Sequence, residues 1–445
     1  MGEQRGERLS AAEIVELSKR YTLFDWVAQS KASPLPVASA SGVYFTGADG
    51  KRYLDFNSQL MSVNAGHSDP RIADAVAAQV RELAYVSSAG MTTEVRALLG
   101  RKLAELFPGD IEKSFFTLGG AEANENAIRM ARLVTGRQKI LARYRSYHGG
   151  TAGAITLTGD PRRWANEPGI PGVVHVLDFY HGTTRPWDSA ADALAVLEET
   201  IELEGPSTIA AFVVEPVTGT NGILIPPDGY LQGVRELCDR YGILMIADEV
   251  MSGFGRTGSW FAVDHWGVVP DLITCAKGLT SSYVPLGAVG LRPHVAEYFD
   301  DHVFAGGLTY NSHPVGLAAA LATIRVYEED GLIERAAKMG DVMRGHHEDL
   351  AARHPSVGAF RNIGLFGCLE IVRSRTTGEP MAPFNSSSPE MAELLRFSLD
   401  HGVFVNLHWN QVMTNPPLCI TEEQLAEGFA VLDEALCITD RAVVD

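Results

Sequence analysis

Gly242-Ile243-Leu244-Met245-Ile246-Ala247-Asp248-Glu249 and, further on, Leu272-Ile273-Thr274-Cys275-Ala276-Lys277-Gly278 follow one pattern: an unbroken apolar run that stops at an ionisable residue. A strand packed on one face alternates apolar and polar residues, whereas a strand covered on both faces is apolar throughout. Both runs therefore read as buried parallel strands. The pattern recurs upstream in Ala210-Ala211-Phe212-Val213-Val214, which stops at Glu215-Pro216, and in Lys139-Ile140-Leu141-Ala142, residues 152–157 and residues 173–176. Helical patterns separate these runs. That alternation predicts an α/β fold, a mostly parallel central sheet with helices on both faces, filling a large domain at 66–325.

The flanks read differently. Residues 1–65 predict a helix over 10–20, a Pro-containing loop and a hairpin over 43–56 that turns at Asp49-Gly50. Residues 326–445 predict a charged helix over 331–353, a strand over 365–372 and a last helix over 421–436, opened by the capping-box sequence Thr421-Glu422-Glu423-Gln424. Together they predict a smaller α+β domain built from both termini.

Composition sets limits on function. The 445 residues are 46% apolar and 21% charged, ordinary for a globular chain. Fifty-five acids against 37 bases leave a charge of −18, which repels phosphate backbones and anionic lipid, so no nucleic-acid partner is expected. The longest nearly uncharged apolar run, 315–324, is half of the roughly 20 residues that a bilayer span needs. The charged start has no signal-peptide core, so neither membrane nor secretion is expected and the cytoplasm is the expected location. Five widely spaced cysteines read as buried thiols. There is no C-x-x-C pair, and His346-His347-Glu348 lacks the spacing of a zinc helix, so no metal site is expected.

In an open α/β sheet, ligands bind beyond the carboxyl ends of the strands. Glu215, Asp248 and Lys277 stand at three such ends and would share one crevice. A further element is Leu118-Gly119-Gly120-Ala121-Glu122-Ala123-Asn124, a small turn running into an amphipathic helix whose first N–H groups can hold an anion. Tyr147, in Arg145-Ser146-Tyr147-His148-Gly149, offers a face to a planar ring. A phosphate cradle, a stacking aromatic, an acid for a ring nitrogen and an amine able to form a Schiff base are the requirements of pyridoxal phosphate. Taken singly, each is more often a solvated charge, a packing tyrosine or an ordinary turn.

Over nearly its whole length the chain resembles the class III pyridoxal-phosphate aminotransferases of fold type I. The resemblance rests on Gly120-Ala121-Glu122-Ala123-Asn124, Tyr147-His148-Gly149, Glu215-Pro216, Asp248-Glu249-Val250 with Gly253-Phe254-Gly255-Arg256-Thr257-Gly258, Ala276-Lys277-Gly278, and Thr309-Tyr310 with His313-Pro314, in the family's order and spacing. It implies that Lys277 carries the cofactor and then moves the substrate proton, and that Asp248 keeps the ring nitrogen protonated. Tyr147 and Val250 would sandwich the ring, Gly120 and Ala121 would bind the phosphate through main-chain N–H groups, and Glu215 would orient the site from behind. Thr309 would reach the phosphate of a neighbouring subunit, which implies a homodimer or a dimer of dimers. The rival reading of 253–258 as a dinucleotide fingerprint fails, because Ser259-Trp260-Phe261 opens no helix and residue 278 is Gly where an acid is required.

Two departures bear on the substrate. The family's Ser-Gly-Ser phosphate turn is Gly119-Gly120-Ala121 here, so a hydroxyl contact is lost while the backbone cradle stays. Members acting on 4-aminobutyrate or ornithine pair a glutamate with a carboxylate-binding arginine, where this chain has Thr220 and Asn406. Phe24-Asp25-Trp26, Gly159-Asp160-Pro161-Arg162-Arg163-Trp164 and His408-Trp409-Asn410 look most like the branch that transaminates taurine and related ω-amines. Arg162, Arg163 or His408 would then meet a charged tail, with Trp26 and Met61 lining the pocket; surface placement, or core packing for Met61, is the plain alternative. The expected reaction moves an amino group from a taurine-like or β-alanine-like ω-amine to a 2-oxo acid, pyruvate or 2-oxoglutarate. The alternatives are the family's phospho-lyase, aminomutase or decarboxylase chemistry, and a non-catalytic cofactor-binding regulator. Intact Lys277 and Asp248 and the lack of an appended DNA-binding segment argue against the regulator.

Overall fold

The computed structural model describes residues 9–181, 185–186 and 189–445, so residues 1–8 of the expected N-terminal segment lie outside the described residues. Its centre is a seven-stranded sheet. In chain order the strands are β1 (Lys113–Thr117), β2 (Lys139–Arg143), β3 (Val173–Val176), β4 (Ile209–Val214), β5 (Leu244–Asp248), β6 (Leu272–Cys275) and β7 (Gly287–Leu291). In space they run β1-β7-β6-β5-β4-β2-β3. All neighbours from β6 to β3 pair in parallel, while β7 is antiparallel to both β6 and β1.

The unbroken apolar runs have a direct cause. Along β2, β4 and β5, Ile140, Ala142, Ala211, Val213, Leu244 and Ile246 point to one face, and Leu141, Phe212, Val214 and Met245 to the other. The first face packs on Ala123, Ala127, Ile128 and Ala131 of helix α1 (Gly120–Thr135). The second packs on Leu197 and Ile201 of the helix Ala190–Glu204 and on Leu231 and Val234 of the helix Tyr230–Tyr241. Every residue of β4 to β7 is buried, which leaves no room for alternation.

One expected strand is a helix. Residues Ala152–Leu157 form a short α-helix, because a six-residue apolar run has no periodicity that separates strand from buried helix. Tertiary contact decides it: the Glu125 carboxylate on α1 accepts hydrogen bonds from the Gly153 and Ala154 amides and caps the first turn. The cysteine expectation also needs correction. Cys238, Cys275 and Cys368 are buried, but Cys437 is exposed, since the helix Glu422–Asp440 turns its Leu425, Phe429, Leu432 and Leu436 face inward.

Both ends of the chain meet in one small sheet, in the order Val37–Ser41, Tyr44–Gly47, Arg52–Asp55 and Val403–Phe404, with the last pair parallel. A second small sheet joins Val357–Ile363, Phe366–Ile371, Gln411–Thr414 and Asn406–His408. The helices Leu332–Arg353 and Glu422–Asp440 flank it, the latter with the Thr421–Gln424 capping box in place. The segment 253–258 is a turn, not a helix. Its fully buried Arg256 donates to the Leu365 and Pro416 carbonyls, Ser58 Oγ and Asn64 Oδ1, tying the flanks to the centre. The helix Pro314–Glu329 continues through the expected border at 325/326. Among the described residues no helix is long and apolar enough to cross a membrane.

Candidate active site

Strands β4, β5 and β6 are neighbours, so the residues that end them are neighbours too. Glu215 follows β4 directly, Asp248 closes β5, and Lys277 lies two residues beyond β6. With Gly120, Ala121, Tyr147 and Val250 they line one cavity of about 320 Å³.

Asp248 is 4% exposed and held from three sides. Its Oδ2 accepts from Asn124 Nδ2 at 2.8 Å and from His148 Nδ1 at 2.7 Å, and its Oδ1 accepts from the Val250 amide at 3.0 Å. Asn124 is fixed in turn: its Nδ2 also donates to the His148 carbonyl, and its Oδ1 accepts from Thr274 Oγ1. Asn124 and His148 stand in the sequence motifs without a role that the motifs themselves assign. Their signal was spacing, since Asn124 lies one helical turn after Gly120 and so faces the same side of α1.

Lys277 adopts φ +41, a backbone strain of the kind that tertiary structure imposes at functional positions. Its Nζ makes no hydrogen bond or salt bridge among the described residues. Burial pulls its pKa down from 10.5 to about 8 against the pull of Asp248 and Glu215. Glu215 takes the Tyr147 amide on Oε1 and the Gly219 amide on Oε2, and burial raises its carboxyl above the usual range.

Helix α1 has Gly119 at its N-cap, and no side chain satisfies its first amides. Gly120 is required by close approach: a Cβ there would sit 2.8 Å from both Val250 Cγ atoms. The same holds for Gly149 (φ +133), where a Cβ would meet the Ala121 Cβ at 2.5 Å. The result is an uncapped helix N-terminus in the cavity wall, open to an anion and close to a free amine.

Arg162 lies over the Tyr147 ring, 3.8 Å from its centroid, and Trp26 meets that ring edge-on at 6.3 Å. The guanidinium donates from Nε to Asp160 and from Nη2 to Asp160 and to Thr220 Oγ1, leaving Nη1 without a hydrogen bond among the described residues. Thr220, noticed in the sequence only as a missing glutamate, thus positions Arg162. His408 is near enough for Arg162 to act on it, and burial first, then that cation, lowers its pKa to about 4.

Other expected residues lie apart. Arg163 pairs with Glu167 and the Gly159 carbonyl, and neither it nor Arg162, Trp26 or His408 lines the cavity itself, although Arg162 and Trp26 contact its Tyr147. Met61 is 1% exposed and packs with Val217, Met251 and Met413 in a core cluster, while Met251 reaches the cavity in its place. Thr309 is exposed, its carbonyl accepting from Tyr85 Oη. Asn406 is half-buried, opposite Met413.

This arrangement, on a sheet with a lone antiparallel strand, is that of a fold type I pyridoxal-phosphate enzyme. The match of residues 27–436 to the family model "Aminotransferase class-III" narrows the class, and the chain belongs to that family. It is similar to the taurine:2-oxoglutarate aminotransferase of Bifidobacterium kashiwanohense, solved with PLP and glutamate, with 40% identity, a TM-score of 0.95, and coverage of 99% of this chain and 100% of that one. It is also similar to the taurine–pyruvate aminotransferase of Bilophila wadsworthia (34% identity, 97% and 98% covered). The putrescine–pyruvate aminotransferase of Pseudomonas aeruginosa is 32% identical, with 92% and 91% covered. The protein is a pyridoxal-phosphate-dependent transaminase.

Proposed function

We propose that this transaminase takes its amino group from a primary ω-amine whose far end carries a sulfonate or carboxylate, as in taurine or β-alanine, and passes it to a 2-oxo acid such as pyruvate or 2-oxoglutarate. The observation that carries this reading is Arg162, stacked on Tyr147 with Nη1 unengaged and held by Asp160 and Thr220. A fixed guanidinium in a partly dry site matches an anionic tail, where an isolated anion would leave its desolvation uncompensated.

The cofactor, when bound, supplies an electrophilic aldehyde and an electron-accepting ring. In this reading Lys277 holds it, since its amine has no competing partner and its lowered pKa keeps a usable neutral fraction near neutrality. Freed from the cofactor, the same Nζ takes and returns the substrate proton. The Gly120 and Ala121 amides hold the phosphate, and Tyr147 and Val250 cover the two faces of the ring. Asp248, immobilised by Asn124, His148 and the Val250 amide, meets the ring nitrogen without having to reorganise. Glu215 fixes the Tyr147 loop from behind through the Tyr147 amide. Trp26 and His408 complete the pocket around the tail. Exposed Thr309 reaches the phosphate of a second copy in a homodimer. The same reading divides the chain at 65/66 and 325/326, with the smaller domain built from both termini.

The test is a donor panel. With kcat/KM measured for taurine, β-alanine, 1-phenylethylamine and 4-aminobutyrate, taurine or β-alanine should lead, and Asn406→Arg should gain 4-aminobutyrate relative to the parent. A parent that prefers 4-aminobutyrate overturns the assignment of the tail site.

A further inference from the structure

Beside the catalytic cavity lies a second one of about 340 Å³ that shares no lining residue with it. Its rim is aromatic. Trp164 and Phe384 are 53% and 51% exposed, and Phe384 lies against Trp409 with ring centroids 4.6 Å apart. The more buried part of its wall is polar: Arg361 donates from Nε to the Gly222 carbonyl and from Nη1 to Glu370. Among the described residues that leaves Arg361 Nη2, beside the Cys368 thiol, buried with no oxygen or nitrogen partner, and Gln411 Oε1 in the same wall is likewise buried and unpartnered. Arg145 and Arg163 also reach the lining, each paired with an acid, Asp178 and Glu167 respectively.

Half-exposed aromatic rings gathered at one mouth are uncommon on a surface without a binding role. An unmatched buried donor and acceptor each cost about 1–3 kcal/mol until something satisfies them. We infer that this cavity is a second ligand site, separate from the cofactor site, for a planar aromatic anion: a flat ring bearing a carboxylate and a ring N–H. The ring stacks between the rim aromatics, the carboxylate goes to Arg361, and the ring N–H goes to Gln411. The unmatched guanidinium donor of Arg361 sets the sign of the ligand's charge, and the aromatic rim sets its shape.

Calorimetric titration of the holoenzyme with indole-3-acetate tests this. Saturable one-to-one binding is expected, unchanged by excess pyruvate. Trp164→Ala and Phe384→Ala, both at half-exposed rim positions, should weaken it about threefold to tenfold. Arg361→Gln should weaken it about tenfold or more. Indole, which lacks the charge, and cyclohexylacetate, which lacks the flat ring, should each bind at least about tenfold more weakly. Absence of saturable binding, displacement by pyruvate, or equal affinity in the parent and both rim variants would overturn the inference.

Discussion

Replacing Arg162 with Gln removes the one cation that, among the described residues, stacks on Tyr147 and leaves a shorter, neutral polar side chain. In the parent, Nε and Nη2 are committed to Asp160 and Thr220, so the substrate's share is a single charge-assisted hydrogen bond from Nη1. Such a bond is worth about 1.5–3 kcal/mol, or about tenfold to a hundredfold in kcat/KM. The side chain is 23% exposed, so solvent screening leaves most of that effect in place. The substitution also leaves Asp160, 2% exposed, with Asn221 Nδ2 and the main-chain amide of residue 162 as its donors. Stability should fall by about 1–3 kcal/mol, to be read separately from the thermal midpoint. The assay is the donor half-reaction alone, followed as the single-turnover loss of the holoenzyme's visible absorbance, so that no 2-oxo acid takes part. Taurine and β-alanine should slow by the stated factor, and 1-phenylethylamine, which has no anionic tail, should change by less than about threefold. Equal losses for charged and uncharged donors, or no loss for either, would refute the assignment of Arg162 to the tail.

Asp248→Asn keeps the shape of the side chain and removes its charge; kcat should fall by at least about tenfold to a hundredfold, the thermal midpoint should drop because the new amide turns an N–H toward a donor that the carboxylate accepted from, and an unchanged kcat would make Asp248 a structural acid. With its pKa lowered to about 8, about a quarter of the Lys277 amines are neutral at pH 7.5, against about one in a thousand at the ordinary value. Capture of pyridoxal phosphate by the apoenzyme should therefore speed up as pH rises through 8 and then level off, as stopped-flow absorbance would record. Burial holds His347 near a pKa of about 3 beside Thr414, so below its unfolded value of 6.5 only the unfolded chain takes up the proton. This one group should cost about 2 kcal/mol of stability at pH 5 and nothing above pH 7, visible as a smaller acid loss of the thermal midpoint in His347→Gln.

The strands that frame the site were legible because burial on both faces leaves a continuous apolar signature, and each run stops at an ionisable residue of the candidate site: Val214 before Glu215, Ala247 before Asp248, Ala276 before Lys277. Strand β7 was not legible. Its Gly287-Ala288-Val289-Gly290-Leu291 is small and glycine-rich because its neighbours crowd it, a Cβ at Gly287 meeting the Gly119 carbonyl at 2.6 Å and one at Gly290 the Ile273 side chain at 2.7 Å. Residues 152–157 misled for the opposite reason: the carboxylate that decides helix over strand belongs to Glu125, far away in sequence. In the site, residues placed by backbone position could be read from motifs. Those whose role is set by a partner could not. That Thr220 holds Arg162, or that Asn124 and His148 clamp Asp248, depends on contacts spanning 58, 124 and 100 residues. Met61 shows the limit of analogy, since its position suggested a pocket wall and its neighbours put it in the core.

The central claim is that Lys277 carries the cofactor of an enzyme that moves amino groups. Borohydride reduction of the holoenzyme, followed by proteolysis and mass mapping, addresses it directly, with and without prior equilibration with β-alanine. The account predicts a phosphopyridoxyl mass on the peptide containing Lys277 in the untreated enzyme and its loss after the donor, because amino transfer leaves the cofactor held without a covalent bond. A label on another lysine, or a Lys277 label that neither β-alanine nor taurine removes, would contradict it.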